Sequence, residues 1–324
     1  MDVTNTWYFG FARHNDFRIN PEPSAGDVIY NYTEQRLLRM IYDLMRNPPG
    51  PAVDPQRIYI AGQSMGGTGA MAFAERYPHV FAAAYASQPL TNFRTAGVTT
   101  SDWIADASGK WGRPDLNLPI HLSAPNGWAQ DLQKYNGVGV WDWEDLTAAA
   151  LGTGPGILAE RKYDEMALLG FAHGTDDKVV LWESQGKPLY SVFNSIPGRP
   201  WGAKVTGNDH QWEYYRGLPP FIADLGNFAV YYFLPFWKLQ VIKDETVPGL
   251  SNLSGNSPTL TTGSAYNQTI KWSSSWDNWD VKPVDTPNLW QISLCQTMIN
   301  SLKCGSGADQ TVTVTPRRVQ KFVI

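Results

Sequence analysis

Cysteine is scarce in this chain: Cys295 and Cys304 are the only two in 324 residues, with eight positions between them. That excludes a disulfide framework of the kind that staples small secreted domains. The pair either bridges two neighbouring strands, which implies an oxidising compartment, or stays as two reduced, buried thiols. Long apolar runs are missing as well. The longest, Phe228 to Trp237, is about half of the roughly 20 residues a membrane helix needs, and Pro235 interrupts it; no membrane partner is expected. Positive charge is not in excess, since 26 Lys and Arg face 30 Asp and Glu for a net charge of −4. The basic footprint of a nucleic-acid binder is therefore absent. The first 20 residues lack the basic start and apolar core of a secretory leader.

Aromatic residues, by contrast, are plentiful at 13%, with 14 Trp, and hydrophobic residues reach 43%. Such a chain can bury a core, and its length suits one large domain with a smaller one. Asn31 to Arg46 reads as an amphipathic helix with Leu37, Ile41, Leu44 and Met45 on one face. Asn31 and Glu34 form a capping box, and Pro48 and Pro49 stop the helix. Ile58 to Ala61 then reads as a buried strand, Thr68 to Arg76 as a helix, and Phe81 to Ala86 as a second buried strand.

The pattern breaks between about residues 88 and 163, where Trp103, Trp111, Trp128, Trp141 and Trp143 stand among turn residues. A loop of that length is improbable in a compact domain, so the stretch is expected to be an insertion or cap with structure of its own. A strand at Ala167 to Ala172, a helix at Pro188 to Ser195 and a strand at Ala203 to Thr206 follow. A kinked aromatic helix is expected over 218–242. This alternation predicts an α/β protein with a parallel sheet and helices on both faces, covering residues 1–244. Residues 245–324 change to Ser, Thr, Asn and Gly with alternating apolar positions, most clearly Thr311 to Val314, and read as a β-rich accessory domain.

The chemistry-bearing motif is Gly62-Gln63-Ser64-Met65-Gly66, between the strand Arg57 to Ala61 and a helix starting near Gly67. A G-x-S-x-G turn from strand to helix holds its serine in a strained conformation with Oγ exposed, and glycines keep side chains from colliding across the turn. Ser64 is the candidate nucleophile. The Met65 N–H and the helix N-terminus face the negative charge that develops on attack. A serine hydroxyl needs a base. Of five histidines, His14 and His79 fall on polar loops or turns, His121 reads as a packed residue of the insertion, and His173 as a turn residue. His210 follows the strand Ala203 to Thr206, on the last loop at the strand-end face. Asp176 and Asp177 follow the preceding strand, so the order Ser, Asp, His is that of α/β-hydrolases. Gln63 beside the nucleophile and Trp182 beyond the acid turn are candidate substrate contacts.

Three separated segments carry a family likeness. Asp54 to Gly67 with Tyr77 to Ala83, His173-Gly174-Thr175-Asp176-Asp177, and Gly207-Asn208-Asp209-His210-Gln211-Trp212 resemble the feruloyl esterase and polyhydroxybutyrate depolymerase-like branch of the α/β-hydrolases. The resemblance spans about residues 1–240. It implies Asp177, the fifth residue of the H-G-T-x-D pattern, as the orienting acid and His210 as the base. It further implies an extracellular serine carboxylic-ester hydrolase that needs no cofactor and no metal. Its substrates would be feruloyl or acetyl esters of polysaccharide, or polyesters. The C-terminal stretch from Val314 to Phe322 is similar to a β-sandwich appended to some such esterases.

In that family several strands and a His-Gly loop precede the elbow, and the loop supplies a second oxyanion donor. Only 63 residues precede Ser64 here, without a His-Gly pair. The expectation is a chain lacking the N-terminal part of the fold, with room for a homo-oligomer at the exposed sheet edge. One missing donor costs roughly 3–4 kcal/mol of transition-state stabilisation. Two other readings stay open: a serine peptidase of the prolyl-oligopeptidase type, and a weakly active fragment that binds carbohydrate or polymer through Trp272, Trp276, Trp279 and Trp290.

Overall fold

A computed structural model of the chain describes residues 6–13, 22–95, 103–151, 166–195 and 201–212, together with Lys243 and short strands between 249 and 315. The expected helix over 218–242 lies outside the described residues, as do Trp272, Trp276, Trp279 and Cys295.

Strands β1 (Phe11–Ala12) and β2 (Ile29–Tyr30) pair antiparallel and lead into helix α1 (Tyr32–Arg46). The helix forms where the sequence predicts, but Asn31 does not cap its N–H groups. Its amide donates instead to Glu34 Oε2 at 3.0 Å and to the Ser123 carbonyl at 2.9 Å. Glu34 is drawn inward by a stronger partner, accepting from Arg76 and from the Tyr77 hydroxyl, each at 2.8 Å. The inward face is correspondingly rotated. Leu38 is fully buried with Leu37 and Ile41 beside it, whereas Leu44 is 45% exposed.

Strand β3 (Tyr59–Gln63), helix α2 (Met65–Arg76) and strand β4 (Ala83–Ser87) form a β-α-β unit, with the two strands parallel and in register from Tyr59 opposite Ala83 to Gln63 opposite Ser87. β4 is buried throughout, because Ala83, Ala84 and Ala86 let neighbouring layers approach closely. β3 departs from expectation in being only half-buried. It occupies an edge of the sheet, and that position leaves its residues partly open.

The stretch read as an insertion contributes α3 (Trp103–Trp111), β5 (Ile120–His121), α4 (Val140–Trp143) and α5 (Leu146–Leu151). β5 extends the small N-terminal sheet by pairing parallel to β2. Trp111, Trp141 and Trp143 are each at most 1% exposed and belong to the same apolar cluster as helix α2 of the β-α-β unit. Their rings meet edge to face, Phe93 on Trp111 at 4.8 Å and Trp111 on Trp141 at 5.8 Å. The indole N–H of Trp111 donates to the Gly10 carbonyl and that of Trp141 to the Gly112 carbonyl, both at 3.0 Å. Trp111 and Trp141 fill the core with their polar ends satisfied, which removes them from any binding surface. His121, expected to be packed, is exposed on β5 with its ring 5.0 Å from that of Tyr30.

The chain re-enters the main sheet through β6 (Leu168–Gly174), then α6 (Lys187–Ser195) and β7 (Trp201–Thr206). The order becomes β3-β4-β6-β7, all parallel, with β9 (Ala265–Tyr266) antiparallel on β7. This is an α/β-hydrolase sheet. Elsewhere in the C-terminal stretch β8 (Gly249–Ser251) pairs with the strand Thr313–Thr315, and two further short hairpin pairs form. Among the described residues no helix is long and apolar enough to cross a membrane.

Candidate active site

Parallel strands all deliver their C-terminal ends to one side, and the loops there are where such sheets place ligands. Three of these ends carry the residues singled out from the sequence. Ser64 joins β3 to α2, Asp177 follows β6, and His210 follows β7.

Ser64 has φ 56° and ψ −121°, in a region that costs a residue with a side chain about 1–3 kcal/mol. Its surroundings leave the turn no alternative. A Cβ on Gly62 would lie 2.0 Å from the Gly66 backbone, and one on Gly67 would lie 2.6 Å from the Ser87 carbonyl. The Ser64 N–H donates to that same carbonyl at 2.8 Å, which anchors the strained residue to β4. Met65 is the first residue of α2, so its N–H has no partner inside the helix and stands at the positive end of the dipole.

Asp177 and His210 meet directly: Nδ1 of the imidazole lies 2.8 Å from Asp177 Oδ2. The other oxygen, Oδ1, accepts the N–H groups of Val179 and Val180, each at 2.8 Å. The carboxylate is thus pinned on both sides and buried, while the His210 side chain stays 16% exposed. A ring held with Nδ1–H on a carboxylate presents Nε2 as its basic nitrogen. The sequence leaves Asp176 and Asp177 side by side, and the geometry separates them. Asp176 is exposed, with Thr175 Oγ1 3.5 Å from its Oδ1. Asp209 is exposed too, held below the usual carboxylate range by the N–H groups of His210 and Lys178.

His173 is not a turn residue. It lies within β6, is 1% exposed, and burial pulls it down to about 4. Its Nδ1 sits 3.1 Å from the Gly174 carbonyl, and among the described residues Nε2 has no hydrogen-bond partner. It is a neutral core imidazole. Trp182, expected to touch substrate, is 6% exposed, with its ring 5.7 Å from His173 and 5.4 Å from Tyr190. Its ring is spent on packing, because the segment Trp182–Gly186 winds as a wide helical turn that folds the indole back over β6. Gln63 ends β3 half-buried, directly beside the nucleophile.

Two residues escape the sequence reading. Tyr8 packs over the start of α2, where a Cβ on Gly69 would come within 2.6 Å of its ring and one on Gly66 within 3.8 Å of its hydroxyl. Gln88, the residue after β4, reaches the His210 loop from more than a hundred residues away. Positive φ at Tyr8 (64°) and Gln88 (48°) shows that both backbones accept strain to hold those places, and a lone sequence carries no signal of it.

The open groove of about 710 Å³ against α1 is lined by Arg13, Arg36 and Arg39 and includes none of the three site residues. Among the described residues no group of three or more His, Cys, Asp or Glu side chains is placed to hold a metal ion.

Residues 47–124 match the model of the prolyl oligopeptidase family, a span that holds Ser64 and ends before Asp177 and His210. No curated protein is matched. Among solved structures, the uncomplexed acylaminoacyl peptidase of Pyrococcus horikoshii is similar at 17% identity and a TM-score of 0.41, over 66% of this chain and 28% of that one. A puromycin-hydrolyzing peptidase of Mycobacterium tuberculosis is similar at 16% identity and a TM-score of 0.35, over 53% of this chain and 21% of that one. The chain spans between about a fifth and under a third of the length of the solved proteins it resembles.

Proposed function

We propose that this chain is a serine hydrolase that works through an acyl-enzyme. The observation that carries it is the 2.8 Å contact of His210 Nδ1 with the buried Asp177, on loops at the same sheet end as the strained Ser64 turn. In this reading Ser64 Oγ attacks a carbonyl carbon while His210 Nε2 takes its proton. The Met65 N–H receives the oxyanion, and Asp177 holds the imidazolium that forms. His210 returns the proton to the leaving group, then activates the water that frees the acid from Ser64. No cofactor enters these steps.

The bond cleaved is proposed to be a peptide or related amide bond, because the family model covering the elbow is that of prolyl oligopeptidases. A second reading, a carboxylic-ester hydrolase, is favoured by the H-G-T-x-D and G-x-x-H-x-W segments around Asp177 and His210. Both share one acylation chemistry and differ in the leaving group. Purified protein and Ser64→Ala are assayed on a chromogenic amide and its matched ester. Loss of turnover in Ser64→Ala is expected, with the amide-to-ester ratio choosing between the readings; a variant as active as the parent sinks the nucleophile assignment.

A further inference from the structure

The nucleophile and the base sit on different strands of the sheet, and β4 with the residues after it lies between them. Ser87 O accepts the N–H of Ser64 at 2.8 Å. Thr68 Oγ1, one turn into α2, has the Ser64 and Leu90 carbonyls within reach of its single O–H at 3.2 and 3.0 Å, and accepts the Leu90 N–H at 2.9 Å. The same short segment grips the other side of the site. Gln88 Nε2 donates to the Asp209 carbonyl at 2.9 Å, and Gln88 Oε1 accepts the Gln211 N–H at 2.7 Å. These two partners flank His210. One side-chain amide thereby closes a ring with the backbone on both sides of the base.

Several features show that this contact is built rather than incidental. Gln88 is 0% exposed, so its donor and acceptor would be unsatisfied without the loop. Its φ of 48° is strained for a residue with a side chain, and glycine would relieve the strain while losing both bonds. Its N–H donates to the Ala172 carbonyl of β6 at 2.8 Å, which fixes the point from which the side chain projects. Space for the clamp is kept by Gly174, where a Cβ would lie 2.0 Å from the Asn208 carbonyl and 3.1 Å from Gln88 Nε2.

We propose that Gln88 is a positioning residue for the base: it sets the height of His210 over Ser64 by holding the peptide groups on either side of the histidine. The proposal rests on the Ser64, His210, Asp177 reading of the site. Gln88 takes no part in bond making; it acts through His210. A base displaced by about 1 Å costs on the order of a hundredfold in rate, and the two hydrogen bonds are of a length to prevent that.

The test uses the full chain with Gln88→Ala and the near-isosteric Gln88→Met. Gln88→Ala should lower kcat by roughly a hundredfold while leaving KM within about threefold, and should broaden or erase the downfield proton NMR signal of His210 Nδ1–H. Gln88→Met fills nearly the same space and makes neither hydrogen bond, so the same fall in kcat is expected, with the same change in the Nδ1–H signal, which is identified by its loss in His210→Gln. An Nδ1–H signal and a kcat in both variants that match the parent overturn the proposal, the first of them without any substrate. If Gln88→Ala does not fold, Gln88→Met decides alone. Equal turnover by the parent and Ser64→Ala would overturn the triad reading instead, a result read from a different variant.

Discussion

At the scale of single residues, the two members of the proposed acid–base pair have opposite surroundings. Asp177 is buried yet saturated, with two backbone N–H groups on one oxygen and the imidazole on the other. His210 is tethered at Nδ1 and its side chain remains 16% exposed. Asp177→Asn keeps the shape and lets an amide oxygen go on accepting the Val179 and Val180 N–H groups. Its NH2 then faces His210 Nδ1, which forces the ring into the tautomer with Nε2–H and removes the base. The expected result is a fall in kcat of about ten-thousandfold with a melting temperature near that of the parent. Steady-state kinetics and a thermal melt check the two halves. A variant with a tenth or more of parental kcat would remove Asp177 from the mechanism. His173, on the strand that leads to Asp177, shows the contrasting case: burial dominates there, and the imidazole stays neutral.

At the scale of elements, the elbow is a junction where β3, α2 and β4 come too close for side chains. Gly62→Ala places a methyl 2.0 Å from backbone atoms of Gly66, which no rotamer change relieves. Separating the start of α2 from the end of β3 also breaks the Ser64 to Ser87 hydrogen bond. Destabilisation of at least about 3 kcal/mol is expected, seen as a lowered urea midpoint together with lost labelling by a serine-reactive phosphonate. Labelling at the parental rate would show that the turn tolerates a different backbone path. This junction is fully legible in the sequence, because glycine at fixed spacing between a strand and a helix has a steric cause. Strands and helices bounded by period and by Gly or Pro are legible within a few residues: α2 begins at Met65 where the pattern predicts Thr68, and β7 at Trp201 where it predicts Ala203. What the sequence hides is non-local. The edge position of β3, the inward turn of Glu34 and the reach of Gln88 to the His210 loop depend on partners about 20 to 120 residues away. The choice between Asp176 and Asp177 needs either the family pattern or the geometry, since both follow the same strand.

At the scale of the whole molecule, α1, α2 and the segment after α4 converge on a buried charge cluster. Arg76 lies between Glu34 at 2.8 Å and Glu144 at 2.9 Å, with its guanidinium 4.7 Å from the Trp143 ring. Glu144 makes a charge contact with Arg76, and among the described residues neither of its oxygens has an aligned hydrogen-bond partner. Arg76 offsets one carboxylate, and burial with Glu34 nearby pushes Glu144 up to about 7. A carboxyl raised in the folded state binds its proton there more tightly than in the unfolded chain, so its contribution to stability falls as pH rises from about 4.5 to 7. His173 acts in the opposite sense: lowered to about 4 from 6.5, it favours folding increasingly as pH rises across that interval. The two oppose each other between pH 4.5 and 6.5, and the Glu144 decline alone remains above. Glu144→Gln is neutral at every pH. It should abolish the loss of stability from pH 6.5 towards 8 and leave, below 6.5, a rise with pH to which His173 and His79, both lowered by desolvation, contribute. Each unit of pKa displacement is worth about 1.4 kcal/mol, enough to read in urea midpoints at about pH 5, 6, 7 and 8. Parallel profiles for parent and variant would mean that Glu144 is ionised throughout, held by Arg76 strongly enough to overcome its burial.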